Sequence, residues 1–251
     1  MRIARFLHNE VPTFGLVDDD EVVIFKGHPL ANNYETTGDR VALANLKLLP
    51  PVIPSKIVCV GKNYAAHAEE LGFELSDEPT LFFKPSSALI GNGQSITLPQ
   101  QSKRVELEVE LAIVIGKFTK NVSEAAAADH IWGFTVANDV TARDLQFSDH
   151  QWDRSKAFDS FCPLGPWIET EFVPGDQQIS STINGNVTQD SLISEMLHNP
   201  YEIVSYISHQ MTLIPGDVIL TGTPAGIIGI SAGDTVECIV EGIGTLRNTV
   251  V

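Results

Sequence analysis

Apolar and polar residues alternate most regularly between Arg104 and Lys117, in the stretch RVELEVELAIVIGK. Successive side chains of an extended strand point to opposite faces. Glu106, Glu108 and Glu110 therefore share one face, and Val105, Leu107, Val109 and Leu111 the other. From Leu111 the run LAIVI is apolar on both faces, which predicts a strand that begins at an acidic site or surface and ends in the core. Ahead of it, MRIARFL and VPTFGLVDDDEVVIF alternate too, and predict a β-rich lead segment with a turn at Asp18-Asp19-Asp20. The Pro-rich LLPPVIP, Leu48 to Pro54, is the expected connection, dividing a small N-terminal domain (residues 1–50) from a larger one (55–251).

Within the larger part, SKIVCVG predicts a buried strand ending at Gly61. KNYAAHAEELG then predicts a helix that Asn63 would cap and Gly72 would end. PTLFFKPSSALIGNGQSITLP reads as two strands around an extended turn, and SEAAAADH as a short helix with Ser123 at its start. IWGFTVANDVTARDLQ is a core strand ending at Asn138-Asp139, continued by a short helix or turn. From Glu169 to Val251 the pattern is strands, with turns at Pro215–Asp217 and Ala232–Asp234 and one helix near Pro200–Met211. The sum is an α+β fold, mainly β.

Several positions carry candidate chemistry. Three glutamates on one strand face repel each other, and a hard divalent cation with oxygen ligands would offset that repulsion. A solvated edge strand with acidic teeth gives the same alternation. Asp139, at a strand end, either caps the following turn or offers a carboxylate to a ligand. His67 and Glu70, three apart on a helix, lie on one side of it. Arg143 and Gln146 likewise share a face. Lys84, in LFFKPSS, reads locally as a lysine with a packed stem and a solvated head; the alternative is a head pointing into a cavity. Lys156 falls in a loop before Pro163 and Pro166. TGTPAG, Thr221 to Gly226, suits close approach of backbone to a ligand, and a hairpin turn explains it equally.

Composition removes some classes of function. The formal charge of −16 would repel a phosphate backbone, which argues against nucleic acid as a partner and favours cation binding. Cys59, Cys162 and Cys238 are far apart, have no metal-ligand spacing, and point to a reducing compartment. The first residues lack the apolar core of a signal peptide, and no apolar run approaches membrane-spanning length, so a cytoplasmic protein with no membrane partner is expected.

Six blocks, in order, resemble the fumarylacetoacetate hydrolase superfamily: VGKNYAAHAEE, LFFKPSSAL, LEVELAIVIGK, NDVTARDLQ, SKAFDSFCPLGPW and LTGTPAGI. The resemblance runs from about Ser55 to Val251. It implies mixed strands rolled into a β-sandwich around a metal site, a small β-rich N-terminal domain, and a homodimer. It also implies Mg²⁺ or Mn²⁺ and small 2-oxo or β-diketo acid substrates. By position, Glu108, Glu110 and Asp139 match the metal ligands, while Glu106 matches none and is a supporting or surface acid. Lys156 matches the lysine beside the metal. His67 and Glu70 match a catalytic dyad on a lid helix, and Lys84, Arg143, Gln146 and Thr223 match substrate contacts. Where the fumarylacetoacetate-cleaving enzymes carry a further carboxylate this chain has Ala66, which points to the branch of acylpyruvases, oxaloacetate decarboxylases and isomerases. The leading expectation is C–C cleavage of a 2-oxo or β-diketo acid, by acylpyruvate hydrolysis or oxaloacetate decarboxylation. The alternative is isomerisation or tautomerisation of an unsaturated 2-hydroxy/2-oxo dicarboxylate.

Overall fold

Period-two segments build the N-terminal part of the computed structural model, which describes residues 1–31 and 33–251. They are β1 (Arg2–His8), β2 (Val11–Asp18), β3 (Glu21–His28), β4 (Asn33–Ala42) and β5 (Lys47–Leu48). The expected turn joins β2 to β3, with Asp19 in the left-handed region at φ 52°. Next come β6 (Ile57–Gly61), α1 (Ala65–Leu71), β7 (Thr80–Lys84), β8 (Leu89–Ile90) and β9 (Ser95–Ile96). The acidic stretch supplies β10 (Val105–Glu106) and β11 (Val109–Ile115), followed by α2 (Glu124–Ala127), β12 (Ile131–Asn138) and β13 (Thr141–Ala142). Two one-turn helices, α3 (Arg143–Ser148) and α4 (Asp153–Lys156), lead to β14 (Cys162–Glu169), β15 (Gln178–Ile183) and β16 (Asn186–Leu192). The chain closes with α5 (Pro200–Gln210), β17 (Val218–Leu220), β18 (Thr235–Val240) and β19 (Gly244–Val250).

One mixed sheet runs β4-β3-β2-β1-β14-β12-β11-β17-β6-β7, so β1 continues the large sheet by pairing with β14. The second sheet runs β16-β15-β18-β19-β9, and its inward face packs with β11 and β12 into the main core. A smaller cluster, including Ala4, Phe6, Val22 and Leu48, holds the N-terminal strands. Burial of β11 on both faces explains the unbroken apolar run from Leu111 to Ile115. Among the described residues, no helix is long and apolar enough to cross a membrane.

Three local expectations are corrected. The acidic stretch is not one strand: Val105 and Glu106 pair with Ala142 and Thr141, and the ladder of β11 starts only at Val109. Nor is it an edge, since every residue from Val105 to Leu111 is buried. Asn63 does not cap α1, whose first cap position is Tyr64; its buried side chain bonds His198 and Thr221 instead. Gly72 does end α1, at φ 68°, a conformation that costs glycine little. Ser123 precedes α2 without a side-chain cap bond.

Candidate active site

Strand registers bring four chain segments to one edge of the large sheet. Val109 faces Asn138, Ala112 faces Leu220, and Leu220 faces Cys59. The start of β11, the end of β12, the end of β17 and the end of β6 thus converge. The break before β11 is held by Asn138, whose Oδ1 accepts the Glu108 N–H at 3.0 Å, and by the Asp139 N–H, which donates to the Glu108 carbonyl at 2.9 Å. Glu108, Glu110 and Asp139, all buried, each present an oxygen within 4.8 Å of the others. Glu106 is diverted from them, and its burial rules out a surface role. Arg104 and Arg143 each donate to it at 2.6 Å.

The three carboxylates are compensated unequally. Lys156 donates to Glu108 at 2.8 Å and to Asp139 at 2.6 Å. Lys84 donates to Asp139 at 2.5 Å and is 2% exposed, so the snorkelling surface lysine suggested by its neighbours is excluded. Its ammonium is instead buried against a carboxylate 55 residues away in sequence. Arg143 reaches Glu108 as well as Glu106, and donates to Gln146 Oε1, which leaves the Gln146 amide hydrogens free for another partner. Burial pushes the Glu108 carboxyl up, but Lys156 and Arg143 outweigh it and hold Glu108 well below the usual carboxylate range. Burial also opposes the charge on Lys156, and Asp139 with Glu108 more than restores it.

Glu110 differs. Its carboxylate accepts only the Gly222 N–H, at 2.6 Å, and has no cationic side chain within 4.0 Å among the described residues. Burial first, and the charges of Asp139 and Glu108 second, raise its pKa well above the ordinary range. A Cβ at Gly222 would meet Asn63 Cβ at 2.7 Å, so glycine there permits both the turn and the approach to Glu110. A buried carboxylate with one donor, beside two others, fits a hard cation: the donor set is all oxygen, as Mg²⁺ or Mn²⁺ prefers. The residues present therefore suit a divalent metal.

His67, on α1, is 6% exposed and lines the same pocket. Its Nδ1 lies 3.4 Å from Glu70 Oε2, and both Glu70 oxygens accept the Gly226 N–H at 3.2 Å. Burial lowers the imidazole pKa, with Arg143 and Lys156 reinforcing it against the carboxylates. His67 is thus neutral near pH 7. Thr223 is buried at the pocket wall, and the loop carrying it is no hairpin, since β17 pairs with β6 and β11 rather than with β18. Asp139 caps no helix, and Lys156 ends α4 rather than lying in a loop, its ammonium 4.9 Å from the Phe82 ring centre. The pocket is small, about 20 Å³, and partly open to solvent.

Eight of the ten candidate positions line this pocket; Lys84 lies behind it on Asp139, and Glu70 behind His67, while Asn63, Asn138 and Gln189 were not among the candidates. Each of these three is a buried amide inside an ordinary-looking strand or loop, and only tertiary placement gives it partners. Cys59, Cys162 and Cys238 are buried free thiols; burial pushes Cys162 up to about 12, which leaves it inert.

The chain is similar to known proteins along its whole length. An Rv2993c-like N-terminal profile matches residues 1–51. The structure of a 5-carboxymethyl-2-hydroxymuconate delta-isomerase from Mycobacterium smegmatis superimposes with a TM-score of 0.93 at 45% identity, covering 100% of this chain and 99% of that one. A mitochondrial oxaloacetate tautomerase, FAHD2A of Bos taurus, is 42% identical over 81% of this chain and 69% of its own length. More distant is a maleylpyruvate hydrolase from Sphingobium, solved with manganese(II) and pyruvate, with a TM-score of 0.83 and 27% identity over 100% of this chain and 99% of that one. The profile described as fumarylacetoacetate (FAA) hydrolase C-terminal matches residues 56–251, and the chain belongs to that family.

Proposed function

We propose that the site binds a small 2-oxo dicarboxylate and shifts a proton between its carbon skeleton and its oxygen, as a keto–enol tautomerase or double-bond isomerase. Glu108, Glu110 and Asp139 would hold Mg²⁺ or Mn²⁺. The observation that carries this reading is His67, a buried neutral imidazole tethered by Glu70 and facing the carboxylate cluster. A proton shift needs one group that both takes and returns a proton, and a neutral imidazole does so near pH 7.

When bound, the cation would act as a Lewis acid on the 2-oxo oxygen. The chain's own residues do the rest. His67 takes the proton next to the carbonyl through Nε2, the nitrogen that Glu70 does not engage, and Glu70 stabilises the imidazolium. Lys156 and Lys84 add positive charge where the substrate's carboxylate and oxyanion lie. Arg143 is spent on Glu106, Glu108 and Gln146, so it orients the Gln146 amide toward the ligand instead of clamping a remote carboxylate itself. His67 and Leu71 of α1 form part of the pocket wall, so an outward movement of α1 would widen the pocket for substrate and its return would exclude bulk solvent.

C–C cleavage, the leading expectation from sequence, is the second reading. The same imidazole could activate water, and the distant maleylpyruvate hydrolase supports this. The isomerase and tautomerase relatives, at 45% and 42% identity, support the proton shift. The test follows enol-oxaloacetate by ultraviolet absorbance, with pyruvate assayed in parallel, in Mg²⁺ or Mn²⁺. Faster keto–enol equilibration without pyruvate release, lost in His67→Ala, is expected. Pyruvate release from oxaloacetate or acetylpyruvate would move the function to cleavage. If oxaloacetate is inert, a double-bond shift in an unsaturated 2-hydroxy dicarboxylate is the remaining form of the proposal, and inertness there too would sink it.

A further inference from the structure

Gln189 lies on β16, in the sheet opposite the acidic motif, yet its side chain is 0% exposed and makes all four of its hydrogen bonds. Its Oε1 accepts from the Val109 N–H and the Ser181 hydroxyl, both at 3.0 Å. Its Nε2 donates to the Pro224 carbonyl and to Thr223 Oγ1, both at 2.7 Å. The orientation of this amide is fixed by its neighbours, because a backbone N–H can only donate and a carbonyl can only accept. Nε2 therefore faces Thr223, and the threonine oxygen is the acceptor. Its own hydrogen meets no protein acceptor among the described residues, and Thr223 is 3% exposed on the pocket wall.

We infer that Gln189 is a positioning residue that makes the Thr223 hydroxyl a dedicated hydrogen-bond donor to an oxygen of the bound acid. The amide saturates one side of the hydroxyl oxygen and turns its hydrogen into the pocket. A carboxylate or 2-oxo oxygen fits there, and a ligand group presenting its own hydrogen is disfavoured. The same amide accepts from the backbone of Val109, between Glu108 and Glu110, so substrate donor and carboxylate pair are set from one point. This inference rests on the 2-oxo acid reading above and adds which pocket atom selects the ligand's oxygen.

The test is calorimetric titration of pyruvate into the Mn²⁺-supplemented protein, which needs no turnover. Thr223→Ser should bind as the unaltered chain does, and Thr223→Val about tenfold more weakly, the loss typical of a hydrogen bond to a charged group. Gln189→Glu keeps both acceptor contacts, but its second oxygen faces the Pro224 carbonyl and its carboxylate captures the threonine hydrogen, so it should weaken binding by about tenfold or more. Gln189→Met loses all four bonds yet leaves that hydrogen free, and should weaken binding less. In the Thr223→Val background, Gln189→Glu should cost little more; a further tenfold loss would assign its effect to charge and overturn the inference. Should Gln189→Glu fail to fold, Gln189→Met carries the test: the Thr223→Val penalty must shrink in that background, and an unchanged penalty overturns the inference. Failure of the unaltered protein to bind pyruvate would overturn the 2-oxo acid reading and this inference together.

Discussion

Two acidic runs of similar length have opposite fates in this chain. Asp18, Asp19 and Asp20 form an exposed turn, where Arg40 on β4 pairs with Asp18 and Glu21 in solvent. Glu106, Glu108 and Glu110 are buried, at 0%, 3% and 2% exposure, and draw Arg143 and Lys156 into the interior with them. In water, charges are hydrated and screened, so the aspartate turn costs the fold little. In the core each carboxylate needs its own compensation, and Glu110 lacks a cationic one. The difference shows that acidity alone carries no chemistry. Burial with incomplete compensation does.

Removing a compensating cation should expose this contrast most strongly. Lys156→Met leaves Glu108 and Asp139 short of their shared ammonium, and should destabilise the protein by about 3–5 kcal/mol in urea unfolding. Arg40→Ala, at the exposed pairs, should cost far less, because solvent screens them. Equal losses would erase the distinction between the two runs. Next in size, Glu110→Gln should weaken Mn²⁺ binding roughly a hundredfold by calorimetry, by the scale of metal-site substitutions. The metal-free variant should melt no lower than the unaltered chain, because a neutral amide replaces a buried carboxyl whose ionisation burial, Asp139 and Glu108 already oppose. A clear fall in melting temperature would mean that Glu110 is structural.

The contrast also explains what was legible beforehand. Period-two alternation put Glu108 and Glu110 on one face, and they do converge. The same rule put Glu106 with them and failed, because the ladder breaks at Leu107–Glu108 and alternation holds only while a strand is continuous. Lys84 read locally as a surface residue, since nothing in LFFKPSS reveals a carboxylate 55 positions away. The family resemblance set it among the substrate contacts, and the structure sets its ammonium against Asp139. Asn63 looked like a helix cap and instead ties the base of α1 to Thr221 and His198, a job set by tertiary contacts. Gln189 carried no signal at all: a lone glutamine in NVTQDSL becomes a site residue only when the two sheets close on each other.

A smaller effect concerns pH. Burial keeps His67 below the ordinary imidazole value of 6.5, so the unfolded chain takes up that proton first as pH falls. This contribution to stability is present above pH 6.5 and is lost as pH drops toward the folded value. For catalysis, the acid limb of kcat/KM should lie below 6.5, and His67→Gln should abolish that limb along with most of the rate. An acid limb that persists in the variant would assign the proton transfer to another group.

The smallest expected effect is the most direct control on the comparison. Asp19→Asn with Asp20→Asn removes two charges without touching an ion pair, since Arg40 engages Asp18 and Glu21. Asparagine also tolerates the left-handed backbone at position 19. Stability should change by less than about 0.5 kcal/mol, and Mn²⁺ affinity should be unchanged. If affinity instead fell with the two aspartates, the cation would be responding to the overall charge of −16 rather than to the buried carboxylates, and the local account of Glu110 would lose its main support.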